Sequence, residues 1–105
     1  MSRKRRIRPE ALVELREAAE WYEEQRPGLG GDLVEEFETT LDEALCNLER
    51  GPVVARTSDG RAIRRFRLKR FARYAVYLLE VDDVVHVVAF EHSSREPGYW
   101  RDRLK

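Results

Sequence analysis

The sequence predicts an α+β domain: a short N-terminal strand, an antiparallel helical hairpin packed on an antiparallel β-meander, and a short C-terminal helix. Three observations predict it. Two segments of the first half carry apolar residues at helical spacing, separated by the breakers Pro27-Gly28-Leu29-Gly30-Gly31. The second half is rich in β-branched and aromatic residues, in runs joined by turn signals such as Asp59-Gly60 and Asp82-Asp83. Those links are too short for parallel crossovers, so the runs must pair antiparallel. A chain of 105 residues suits one domain, taken over residues 1–105, with one core between two layers.

Lys4 to Arg8 reads as a short first strand, with Ile7 its only clear apolar residue. Pro9 suits the first turn of a helix, where its missing N–H costs nothing. Leu12, Leu15, Ala18, Ala19 and Tyr22 then recur at helical spacing, and Glu14, Glu17, Glu20 and Glu24 are expected to face water. The helix ends near Arg26. Asp32 is an N-cap candidate for a second helix, with Glu35 placed three residues on as in a capping box. Its apolar stripe is Leu33, Phe37, Leu41, Ala44, Leu45 and Leu48, and Gly51-Pro52 stops it.

Val53 to Arg56 is the first strand of the meander, and Ser58-Asp59-Gly60 its hairpin turn. Arg65, Arg67 and Lys69 alternate with Phe66 and Leu68, which puts the basic residues on one face and the apolar ones on the other. Tyr74 to Val81 and Val84 to Phe90 follow, and Trp100 and Leu104 close the end as a short helix.

Composition narrows the function classes. The net charge is zero, but residues 1–9 carry five bases and no acid, residues 10–49 thirteen acids and two bases, and residues 50–105 thirteen bases and seven acids. A zero sum argues against nonspecific nucleic-acid binding by the whole surface, yet leaves room for a local basic patch. Cys46 is the only cysteine, so it forms no intramolecular disulfide and builds no metal site alone. No metal-ligand spacing, phosphate loop or serine-nucleophile motif is present, and no metal or cofactor is expected. There is no long apolar run and no apolar core to the basic N-terminus, so a cytoplasmic location is the expectation.

Two constellations carry possible chemistry. The first is the basic row Arg65, Arg67 and Lys69, joined by Arg73 from the next strand. It is suited to holding phosphates or stabilising charge on a scissile phosphate, and equally suited to being a solvated sheet face. The second is His92, at a strand end, with Arg95 three residues on. A histidine titrates near neutral pH and serves as general acid or base, with Arg95 holding a phosphate. The competing reading has His92 merely hydrogen-bonded at the strand end while Arg95 pairs with Glu91 or Glu96. Trp21, Tyr22, Phe37, Phe66, Phe71 and Trp100 are expected in the core, and His86 on the surface.

Several stretches taken in order resemble one family. They are Ala11-Leu12-Val13-Glu14-Leu15 and Trp21-Tyr22-Glu23-Glu24-Gln25-Arg26-Pro27-Gly28-Leu29-Gly30, then Phe37, Arg64-Arg65 and Arg70-Phe71. The ending Ala89-Phe90-Glu91-His92-Ser93-Ser94-Arg95-Glu96-Pro97-Gly98-Tyr99-Trp100 completes the set. Together they resemble the RelE/ParE superfamily of toxins from bacterial type II toxin–antitoxin systems. The resemblance implies the fold described above, an antitoxin partner that masks the working surface, and one of two targets. ParE-like members poison DNA gyrase and need no nuclease site. RelE-like members cleave ribosome-bound mRNA without a metal. On that second branch Arg65, Lys69 and His92 would be catalytic, and Arg67, Arg73 and Arg95 would bind RNA phosphate. The long acidic hairpin with its Gly-Leu-Gly turn leans towards the ParE-like branch. Ala72-Arg73 stand where relatives read Pro-Tyr, which motivates a third reading, a chain that keeps the fold and antitoxin binding but has lost activity.

Overall fold

The computed structural model describes residues 3–104. Strand β1 (Lys4–Ile7) leads into helix α1 (Pro9–Gln25) and helix α2 (Leu29–Cys46). A 3₁₀ turn at Leu48–Arg50 precedes strands β2 (Val53–Arg56), β3 (Ala62–Arg67), β4 (Tyr74–Val81) and β5 (Val84–His92). A second 3₁₀ turn, Arg101–Leu104, follows. The expected α+β architecture is therefore present, with the terminal helix reduced to a 3₁₀ turn.

The five strands form one sheet in the order β1-β5-β4-β3-β2. β2 to β5 are an antiparallel meander, and β1 lies parallel to β5, Lys4 opposite Val84 and Ile7 opposite Val87. The meander turns where the sequence supplies residues tolerant of positive φ: Gly60 between β2 and β3, and Asp82-Asp83 between β4 and β5, at φ 50° and 67°.

Both helices cover one face of the sheet. The stripe Leu33, Phe37, Leu41, Ala44, Leu45 and Leu48 is buried as expected, with Ala11, Leu15 and Ala18 of α1 against Val76, Leu78, Val85, Val87 and Phe90. The opposite face holds a smaller cluster, in which Ile63, Ala75, Tyr77, Leu79 and Ala89 are covered by Trp100 from the C-terminal segment. This open face is the one that carries polar residues towards solvent.

Three local expectations are corrected. α2 begins at Leu29, not after Asp32: its cap is Gly28 at φ 90°, and the Glu23 carboxylate accepts the Gly28 and Gly30 N–H groups. A carboxylate from the preceding helix thus satisfies the free amides that a capping box would have taken, and Asp32 pairs instead with Arg70 at 3.2 Å. Gly30 lies against α1, where a Cβ would collide with the Ala19 carbonyl oxygen. Trp21, expected in the core, is 55% exposed and meets Tyr22 edge to face. Glu14, expected in water, is nearly buried, with its side chain 11% exposed.

Candidate functional site

A β-bulge decides which side chains reach the open face. Opposite β4 the register runs Leu78 to Val87 and then Tyr77 to Ala89, so Val88 is the extra residue on β5. Before the bulge Val85 and Val87 face the helices and His86 the open side; after it Phe90 faces the helices, and Ala89 and Glu91 the open side. His92 follows Phe90. Tyr74 stacks on the Phe90 ring at 4.8 Å and meets the His92 ring edge-on at 4.9 Å, in a groove shared with Glu17, Trp21 and Arg95. The His92 Nδ1 atom accepts the Ser94 N–H at 3.0 Å and lies 2.7 Å from the Ser94 hydroxyl.

The open face itself holds a cleft of about 340 Å³. β3 supplies Arg65 and Arg67, the β3–β4 link Arg73, and the C-terminal segment Trp100 and Arg101. Tyr77 lies opposite Arg65 in the sheet and donates its hydroxyl to Glu91 Oε1 at 2.6 Å. Its ring lies 4.8 Å from that of Trp100. Two buried atoms here, Glu91 Oε2 and Trp100 Nε1, have no hydrogen-bond partner among the described residues.

The six residues singled out by the sequence therefore separate. Arg65, Arg67 and Arg73 meet in the cleft. Lys69 does not enter that cleft, because β3 ends at Arg67 and the chain turns towards α2; it is exposed, 4.0 Å from Glu43, and lines a second pocket with Arg65 and Arg67. His92 sits on the helical side. Arg95 lines both the cleft and the groove, but its guanidinium lies over the Tyr99 ring at 3.8 Å and 3.7 Å from Glu14 Oε2. Its pairing is thus with Glu14, not with Glu91 or Glu96.

Glu14 was missed by periodicity. One oxygen accepts the Phe90 N–H at 3.0 Å and Arg103 Nη1 at 2.9 Å; the other accepts the Tyr99 hydroxyl and Arg103 Nη2 at 3.2 Å. Arg103 also donates to the Val88 carbonyl at 3.1 Å. These side chains cover the edge of β5 beyond the end of β1 and hold the segment that carries Trp100 over the open face. Tyr99 and Arg103, four residues apart, do not mark Glu14 as their partner in the sequence.

The Tyr77 hydroxyl is pushed up to about 12, first by burial and then by its hydrogen bond to Glu91 and that carboxylate's charge, with Arg65 acting in the opposite sense. Tyr99 is raised in the same way by burial and Glu14. A folded value above the unfolded one, near 10, means that the neutral hydroxyl's contribution is fully present below about pH 10 and lost as pH rises towards 12. On this account the thermal midpoint should fall as pH rises above about 10. Tyr77→Phe should shallow that fall; an unchanged slope would remove Tyr77 as a source of it. His86, by contrast, is lowered by burial and by Arg8 and Arg6.

No group of histidine, cysteine or acidic side chains suited to a metal occurs among the described residues. The model of one family, the ParE toxin of type II toxin–antitoxin system, parDE, matches residues 5–97. No curated protein and no solved structure matches the chain significantly.

Proposed function

Since this chain belongs to the ParE toxin family of type II toxin–antitoxin systems, we propose that it arrests growth by binding DNA gyrase through protein contact, and that a cognate antitoxin neutralises it. The family carries the toxin role and the existence of an antitoxin. One observation favours gyrase poisoning over RNA cleavage: the bulge at Val88 sends His92 to the helical side while Arg65 stays on the open side. A general acid or base must come within hydrogen-bond reach of the proton it moves. Lys69, drawn towards α2, still lines a pocket with Arg65, and it is His92 that lies apart from both, in the groove with Glu17 and Trp21. The hydroxyl that does face the Arg65 cleft, Tyr77, holds its proton up to about pH 12.

No described helix is long and apolar enough to cross a membrane. A cytoplasmic site of action follows from the proposed target.

Pure protein added to gyrase should inhibit supercoiling, and unaffected supercoiling would count against the reading. Primer extension on translated messages should show no new cleavage ends after induction. His92→Gln should remain fully toxic; loss of toxicity with the fold intact would restore histidine catalysis and the mRNA target. Normal growth on induced expression without antitoxin would instead mark a chain that keeps the fold and antitoxin binding alone.

A further inference from the structure

We propose that the open-face cleft binds the phosphodiester backbone of duplex DNA, so that the toxin grips DNA and protein of its target together. The choice of DNA rests on the gyrase reading; the anion site rests on the cleft. Several basic side chains elsewhere have carboxylate partners, among them Arg3 with Glu80, Arg5 with Glu38, Arg61 with Asp59, Arg70 with Asp32 and Arg103 with Glu14, and those without one among the described residues, such as Arg16, Arg26 and Arg56, do not line this cleft. Arg65, Arg67, Arg73 and Arg101 have none among the described residues, and all four line one cleft. Its single acid, Glu91, is bound to Tyr77. On a chain of zero net charge, this gathers four arginines without ion-pair partners against a single carboxylate in one place.

The chemistry of those groups suits phosphodiesters. All four are arginines, whose planar fork donates two parallel bonds to phosphate, rather than lysines, which act as point charges. Arg65 and Arg67 stand two residues apart on a strand, about 6.8 Å along it, a separation that lets each reach a different phosphate of one backbone. Tyr77 and Trp100 are themselves buried, so no ring is offered for a base to stack on. The cleft thus fits a backbone read without regard to sequence, which is how a duplex is held by phosphate contacts alone.

Fluorescence anisotropy with a short labelled duplex tests this. Four phosphate contacts should lower the affinity about a hundredfold between 50 and 200 mM salt. The Arg67→Glu/Arg73→Glu double variant changes two exposed residues and should roughly halve the salt slope and abolish measurable binding near physiological salt. Arg16→Glu/Arg26→Glu, on α1 and just past its end, should bind as the unaltered chain does. Equal binding by the cleft variant and the unaltered chain would overturn the proposal, as would displacement of the duplex by polyglutamate at equal charge, which would assign the cleft to an acidic peptide. Tighter binding of a single-stranded RNA than of the duplex would overturn the choice of DNA. Failure is separable from that of the gyrase reading: supercoiling inhibited without duplex binding rejects this proposal alone, and duplex binding without inhibition rejects gyrase alone.

Discussion

Glu14→Ala should lower the folding free energy by about 3 kcal/mol, the low end of the loss seen when one partner of a buried ion pair is removed. The reason lies in what is left behind. Arg103 is 17% exposed and donates two bonds to Glu14, so removal of the acid strands a desolvated guanidinium. The Tyr99 hydroxyl and the Phe90 N–H lose their acceptor in the same step. Urea unfolding of the pure protein checks it. Glu14→Gln keeps the size and one acceptor and should recover part of the loss. A loss below about 1 kcal/mol for the alanine variant would mean that Glu14 acts as an ordinary surface pair.

Phe37→Ala should cost about 3–5 kcal/mol, which for a domain of ordinary stability is a third or more of the total. Phe37 is wholly buried in the middle of α2 and meets the Phe90 ring edge to face at 5.5 Å. Its removal opens a cavity between helix and sheet that neither layer can close without moving. Phe37→Leu, which keeps most of the volume, should cost much less. If the alanine variant unfolds at the same urea concentration as the unaltered chain, the helical layer is not packed on β5 as described.

The two residues differ in how they can be read. Phe37 lies on a stripe of period 3.6, and periodicity reports burial directly, so the helices, the meander and the core were all legible. Glu14 is an acid on a helix rich in acids; only its distant partners distinguish it from Glu17 or Glu20, and those sit some eighty residues further on. Asp32 misled because Glu23, from the helix before, already serves the amides it would have capped. Trp21 misled because a large apolar side chain next to the partly buried Tyr22 need not itself be inside. For the cleft, alternation placed Arg65 and Arg67 together, but it predicts nothing past the end of β3, where Lys69 leaves the row. His92 shows the limit most clearly. Strict alternation from His86 would bring it to the open face beside Arg65, and one extra residue at Val88 sends Glu91 there in its place. After His86 the run Val87 to Phe90 is wholly apolar, so the sequence leaves the bulge at Val88 unmarked.

The parallel pairing of β1 with β5 sets an order of events during folding. β4 and β5 are joined by two turn residues and meet at almost no entropic cost, whereas Lys4 must find Val84 across nearly the whole chain. Contacts so distant along the chain are slow to form, because the loop must close before any pairing rewards it. The meander and the helical hairpin, whose contacts are local, are thus free to assemble first, and the N-terminal strand and the Glu14–Arg103 contact, 89 residues apart, to close the β5 edge later. The acidic α2 and the basic β1 meet only then, through Arg5 and Glu38 at 2.5 Å, so attraction between oppositely charged segments guides the last step of assembly.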